Sequence, residues 1–163
     1  MIKQYCCGIV LVLVAIGFMA PIPANADDKS GLTSGQVIYV PAYSHIYVGS
    51  SERPFLLAVT LSIRNIDPNR RITIAVVTYH ASQGRQIKQY LDAPVILNPL
   101  ESLRFVVPEN DSSGGSGANF IVEWISERPV NPPIIESINI GSKSGQGISF
   151  TSRGRVLITS KKK

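Results

Sequence analysis

Among the side chains used in catalysis, His45, His80, Ser116 and Glu123 stand in settings that can be weighed from sequence. Ser116 sits in Gly114-Gly115-Ser116-Gly117-Ala118, one residue short of a Gly-x-Ser-x-Gly nucleophile elbow. That elbow turns from a strand into a helix so that the serine stands exposed above a sheet. Here the fifth position is Ala118. The run Phe120, Ile121, Val122, Glu123, Trp124 follows, and its alternation is that of a strand. The glycines therefore read as a loop leading into a strand. A phosphate loop is excluded on similar grounds: no Gly-Lys dipeptide occurs, and no helix follows the glycines to hold an anion.

Metal chemistry lacks ligands. A structural zinc site needs four and a catalytic one at least three. His45 and His80 would have to find Glu123 or Asp111 through tertiary coincidence. A blue-copper site needs a cysteine thiolate. Both cysteines, Cys6 and Cys7, lie in the first seven residues. No metal and no cofactor is expected. Glu123 stands beside Trp124, where burial would raise its pKa, but no partner carboxylate can be placed. It reads as outward-facing, on a wall it shares with Ile121 and Ile125.

Binding chemistry has better candidates. Tyr43, His45 and Tyr47 alternate along one strand face just after the break at Pro41, with Ser44 between them. Tyrosine offers rigid amphipathic contact area. Arg153-Gly154-Arg155 could grip a carboxylate or phosphate through paired guanidinium bonds, although a solvated hairpin turn is the plainer reading. The ligand-binding residues expected from sequence are Tyr43, Ser44, His45, Asn119 and Arg153, with no catalytic or metal residue among them. The alternative is a small hydrolase or metal-dependent enzyme that uses His45 with Ser116, Asn119 or Glu123.

The elements that must position these groups begin after a targeting segment. Lys3 precedes an uncharged apolar run, Cys6 to Ala20, which Pro21 and Pro23 end. Ala24-Asn25-Ala26 fits the small-x-small pattern of a signal-peptidase site. The run is about 15 residues, short of the ~20 that span a bilayer. Cleavage after Ala26 is expected, giving an exported protein, periplasmic or secreted, with no membrane span. The alternative is that the segment is retained as an anchor. Cleavage would remove both cysteines and both methionines, so no disulfide is available even in an oxidising compartment. It would also lower the net charge by one from +5, and Lys161, Lys162 and Lys163 hold three of the remaining positive charges. A nearly neutral body with a basic tail is not a nucleic-acid footprint.

Residues 27–35 read as a polar lead-in, 36–159 as one domain, and 160–163 as a basic tail. Gln36–Val40 is a short strand that Pro41 makes an edge strand or a strand end. Phe55 to Arg64 and Ile72 to His80 alternate with period two. Ser82-Gln83-Gly84 closes a hairpin, and the polar stretch Arg85–Tyr90 reads as an edge strand. Leu103 to Val107, Phe120 to Ile125, Ile134 to Ile140, Ile148 to Thr151 and Arg155 to Thr159 complete a series of strands. No window has helical periodicity. Short strands separated by turns, with long connections between some of them, predict a single immunoglobulin-like, Greek-key antiparallel β-sandwich.

Several stretches are also recognisable. Val40-Pro41-Ala42-Tyr43-Ser44-His45-Ile46-Tyr47, the run from Arg53 to Asn65, and Ser112 to Trp124 resemble the bacterial exported family called domain of unknown function 3124. Pro129-Val130-Asn131-Pro132-Pro133 and Gln146-Gly147-Ile148-Ser149-Phe150 fit it too. The resemblance spans most of residues 36–158. It implies export and one domain, and it supplies no site residue. The functional expectation is a non-catalytic binding or envelope-accessory module whose partner is an envelope protein or a glycan.

Overall fold

The computed structural model describes residues 31–49, 52–143 and 145–159. The expected signal segment, residues 27–30 of the lead-in and the basic tail lie outside those residues. The described chain is entirely strand, turn and loop. It holds β1 (Thr33–Pro41), β2 (His45–Tyr47), β3 (Pro54–Leu56), β4 (Ala58–Arg64), β5 (Ile72–His80), β6 (Gln86–Gln89), β7 (Val95–Leu97), β8 (Ser102–Val107), β9 (Asn119–Val130), β10 (Ile134–Lys143), β11 (Gln146–Arg153) and β12 (Arg155–Thr159). β1 begins at Thr33, so the last residues of the expected lead-in are strand.

The strands form two antiparallel sheets and a small β2–β3 ribbon. One sheet has the order β12-β1-β9-β5-β6, with β7 also on β5. The other has the order β11-β10-β4-β8. Two pairs of non-consecutive strands make the Greek-key core: β4 with β8 in one sheet, β5 with β9 in the other. Strands B with E and C with F pair this way in an immunoglobulin sandwich. The flanks differ. β1 lies beside β9, and β10 lies beside β4. The first strand thus takes the place next to F that the last strand holds in an immunoglobulin domain.

This arrangement decides one sequence expectation and corrects another. Gln36–Val40 is not an edge, because β1 pairs with β9 on one side and β12 on the other. Pro41 ends the strand without exposing it. Nor is Arg153-Gly154-Arg155 a hairpin turn. β11 and β12 belong to different sheets, and Gly154 is the corner where the chain crosses between them. Its N–H donates to Ile135 O at 2.9 Å. A side chain there would meet Ile38 Cγ2 at 2.5 Å and Ile135 O at 2.9 Å, so only glycine fits the crossing. The expected edge at Arg85–Tyr90 does hold, since β6 ends its sheet.

Between the sheets, Val59, Leu61 and Ile63 of β4 meet Phe120, Val122 and Trp124 of β9, with Ile38, Val40, Ile72, Ile74 and Val77 around them. Period-two alternation puts these side chains on the inner faces. Trp124 is fully buried at the centre. Each large apolar side chain buried here contributes about 1.5–3 kcal/mol relative to exposure.

Candidate functional site

Tyr43, Ser44, His45 and Asn119 share one corner of the sandwich, which the glycine loop before β9 closes. Ser44 N–H donates to Gly115 O (3.1 Å), and Ala42 N–H donates to Ala118 O (2.8 Å). Asn119 pairs in register with Pro41 on one side and His80 on the other. Tyr43 N–H donates to Asn139 Oδ1 (3.2 Å), and its ring meets Phe150 edge-on at 5.3 Å. Arg153 does not join this group. Its register partner is Glu136, three residues from Asn139. An odd offset along a strand puts Arg153 on the opposite face of the sheet, about 10 Å away.

Within the corner Ser44 is sealed, whereas Tyr43, His45 and Asn119 are partly exposed. Ser44 is fully buried. Its hydroxyl lies 3.2 Å from the Tyr79 hydroxyl and 3.3 Å from Gly115 O. Ser82 Oγ donates to Gly114 O (3.0 Å) and accepts from Gly117 N–H (2.9 Å). Burial pushes the Tyr79 hydroxyl above its ordinary pKa, partly offset by the Ser44 hydrogen bond. Burial pushes neighbouring Tyr90 up to about 12, helped by Tyr79 and Asp111. These groups join β1, β5 and the loop 112–118, and Ser44 has no surface to offer a ligand.

The hydrolase constellation does not assemble. His45 Nε2 hydrogen-bonds the Tyr47 hydroxyl at 3.3 Å, and Nδ1 is buried with no partner. No hydrogen bond links His45 to Ser116, Asn119 or Glu123 among the described residues. Glu123 lies four residues along β9 from Asn119, between Val37 and Val76, on the outer face the sequence assigned to it. His80 is held by Thr78 Oγ1 (2.9 Å) and Gly84 O (3.2 Å). No group of three His, Cys, Asp or Glu among the described residues could hold a metal ion.

A concave, polar feature lies elsewhere. A cleft of about 400 Å³ is lined by Asn69, Arg70, Arg71, Thr73, Asn98, Pro99, Ser126, Glu127 and Arg128. Three arginines and two asparagines are among its lining residues. Two buried side chains build its frame. Asn65, 1 % exposed, donates from Nδ2 to Arg70 O (2.8 Å), Leu97 O (3.3 Å) and Asn98 O (2.9 Å). It also accepts from Asp67 N–H (3.0 Å) and so ties the loop 65–71 to the turn 98–101. Asp67, 5 % exposed, accepts from Asn69 N–H (2.9 Å), Arg70 N–H (3.0 Å) and Asn131 N–H (3.1 Å). The Asn69 N–H, more than any other group, holds the Asp67 carboxyl below its usual range. Burial opposes it, and the Asn131 and Arg70 amides and the Arg70 charge assist.

Within the cleft, Arg70 Nη1 donates to Pro129 O. The carbonyl acceptor orients the guanidinium without neutralising it, and the Asp67 carboxylate offsets part of its charge. Arg71 Nη2 lies 3.2 Å from Glu127 Oε1, both side chains well exposed. An exposed pair of this kind contributes at most about 1 kcal/mol and can open to an incoming anion. The Arg70-Arg71 pair is a visible signal in the sequence, beside the turn Asp67-Pro68-Asn69. Its place in one cleft with Arg128 is tertiary, set by β5 lying against β9.

The outer face of the four-stranded sheet is also basic. Arg104, Ser62, Glu136 and Arg153 form one register row across β8, β4, β10 and β11. Arg64 Nη2 lies 3.9 Å from Glu136 Oε1, and Arg64 Nε donates to Ser62 Oγ at 3.1 Å. A shallow concavity of about 690 Å³ there is lined by Thr60, Ser62, Arg64, Ser102, Leu103, Arg104 and Ile138.

Comparison with known proteins gives one family. The family described as "Protein of unknown function (DUF3124)" matches residues 35–157. No curated protein matches the chain. A solved structure from Thermotoga maritima, described as Thermotoga maritima 1070, is similar at 14% identity with a TM-score of 0.45. The match covers 77% of this chain and 97% of that one.

Proposed function

We propose that this chain, which belongs to the DUF3124 family of proteins of unknown function, is an exported, non-catalytic binding domain that holds an anionic group in its arginine-lined cleft. One observation carries the reading. Arg70, Arg71 and Arg128 line a cleft of about 400 Å³ together with Asn69 and Asn98. Guanidinium groups bind carboxylate or phosphate oxygens through paired, charge-assisted bonds. Amides add neutral donors that fix orientation. The frame made by Asn65 and Asp67 supports binding rather than mere surface charge, because it orders the loop before any ligand arrives, and that lowers the entropy cost of binding.

A catalytic reading has less support. The cleft lining contains no histidine, cysteine or tyrosine. Its one carboxylate, Glu127, is paired with Arg71. Export rests on Lys3, the apolar run Cys6 to Ala20 and Ala24-Asn25-Ala26. It would bring the domain among envelope components, where carboxylates and phosphates are carried on glycans and lipids. The test is a titration of isotope-labelled protein with inorganic phosphate and with galacturonate at low ionic strength, read by amide chemical shifts. The expected result is saturable shifts at residues 69–73 and 126–128. Saturable shifts confined to Tyr43, His45 and Asn119 would move the site to the other corner.

A further inference from the structure

The arginine-lined cleft adjoins an apolar strip on the same face of the same sheet. Thr73 of β5 lines the cleft. It stands on the outer face of its sheet, since its neighbours Ile72 and Ile74 are both buried in the core. It pairs in register with Ile125 of β9 on one side and with Ile96 of β7 on the other. Residues directly paired across antiparallel strands present their side chains to one face, with Cβ atoms about 4.5–5.5 Å apart. Ile125 and Ile96 therefore flank Thr73 at the rim of the cleft, and they are 46% and 51% exposed. A lone exposed isoleucine needs no explanation. Two of them beside a threonine that shares a cleft with three arginines make a directed surface, charged at one end and hydrocarbon at the other.

Resting on the binding role of that cleft, we infer that its ligand is a single-chain anionic amphiphile, a fatty acid or an alkyl phosphate. The arginines hold its head group, and its chain lies over Ile125, Thr73 and Ile96. The same face sets a limit to the chain. Glu123, two residues from Ile125 along β9, stands on this face between Val37 and Val76 and is half-buried. Hydrocarbon laid over a carboxylate strips water from the charge, which is costly. Arg71 lies two residues before Thr73, and Glu123 lies two residues beyond the row of Thr73 and Ile125. Four residues of strand at about 3.3 Å each cover ~13 Å. A hydrocarbon chain advances ~1.25 Å per carbon, from a C–C bond of about 1.52 Å at a tetrahedral angle. A chain of about ten carbons therefore reaches Glu123 without covering it.

Other anions fit less well. A sugar acid carries hydroxyls around its ring, and the row beside the cleft offers one hydroxyl, that of Thr73, between two isoleucines. A peptide C-terminus is captured by a nest of backbone N–H groups. At this cleft the Asn69 and Arg70 N–H groups are already held by Asp67 Oδ1, at 2.9 Å and 3.0 Å.

The experiment is calorimetric titration with inorganic phosphate, with the even-numbered fatty acids from butyrate to dodecanoate, each below its micelle concentration, and with octyl phosphate. It uses the full chain, the strip variant Ile96→Thr/Ile125→Thr, the cleft variant Arg70→Gln/Arg128→Gln, and Glu123→Leu. None of the five substituted residues is buried, and thermal melting confirms that each variant is folded. Full burial of a methylene tightens binding about fourfold, and contact on one side of an open face about twofold. The native chain is expected to bind about twofold more tightly per added methylene up to decanoate and to gain nothing beyond it. The strip variant should lose that rise while binding inorganic phosphate as before, and Glu123→Leu should extend the rise to dodecanoate. Octyl phosphate binding more tightly than inorganic phosphate would support the chain contact with the second head group. The amphiphile is overturned if chain length makes no difference, or if the strip variant shows the native rise. In either case loss of phosphate binding in the cleft variant would leave the cleft standing. Unchanged binding of phosphate and octanoate by the cleft variant would refute the cleft itself. A plateau at decanoate in Glu123→Leu would overturn the limit set by Glu123. Binding to anionic lipid vesicles without binding of octanoate, or tighter binding of a leucine-ended peptide than of octanoate, would overturn the assignment to a single amphiphile.

Discussion

Asp67 holds the loop from which Arg70 and Arg71 project, and it does so with a buried carboxylate that accepts three backbone N–H groups. Removing it leaves those donors without a partner, a cost of about 1–3 kcal/mol. Asp67→Ala is expected to lower the urea midpoint accordingly and to weaken anion binding, although it touches no ligand. The effect depends on pH in a defined direction. Its pKa is lowered in the folded state. Its stabilisation is therefore complete above the unfolded value near ~3.9 and is lost as pH falls through the lower folded value. Stability measured against pH should show native and Asp67→Ala proteins converging on acidification below about pH 4. A constant gap down to the lowest pH would contradict this role. Gly114 makes a second residue-scale case. A Cβ there would fall on the Tyr79 hydroxyl and lie 2.7 Å from Ala118 Cβ. The Tyr79 ring cannot retreat, because it packs on Phe120 at 4.9 Å and is bonded to Ser44. Gly114→Ala should cost about 1–3 kcal/mol by overpacking, seen as a fall in melting temperature. An unchanged melting temperature would show that the corner is looser than its hydrogen bonds indicate.

At the scale of elements, most of the strands were legible. Ile72–His80 and Arg155–Thr159 match β5 and β12 residue for residue, because alternation and flanking turns set their limits. β9 was legible as the apolar strand behind the glycine loop, with Phe120, Val122 and Trp124 inward. Pairing was less legible. Pro41 left Gln36–Val40 open as an edge strand or a strand end; it closes the strand, and β12 covers the free side. That cover comes from more than a hundred residues away, and local sequence does not encode it. The same crossing at Gly154 separates Arg153 from Arg155. Two arginines that look like one clamp in sequence thus face β10 and β1 respectively. All five residues of β12 are exposed, and among the described strands it pairs with β1 alone. Few buried contacts imply a low opening free energy. Amide exchange in β12 should be markedly faster than in β9, which is paired on both sides. Equal protection would mean that β12 is covered in solution by a further contact.

At the scale of the whole molecule, the sandwich separates packing from recognition. The corner of Tyr43, Ser44, His45 and Asn119 attracted notice in the sequence because aromatic and polar side chains cluster there. In the fold its hydroxyls and amides serve largely to lock β1, β5 and the glycine loop together. The cleft at 69–71, 98–99 and 126–128 was not legible as a site. Its residues come from three separated segments, and each looks like an ordinary solvated turn or strand end. Asn65 and Asp67 bring two of those segments together, and the pairing of β5 with β9 supplies the third. The central claim is that Arg70, Arg71 and Arg128 bind an anion as one unit. Calorimetric titration of galacturonate into the native chain and into Arg70→Gln/Arg128→Gln, at low and at moderate salt, tests it most directly. The account predicts at least about tenfold weaker binding by the variant and a weaker salt dependence, since fewer guanidinium contacts remain. Equal affinity and equal salt dependence in the two proteins would contradict it.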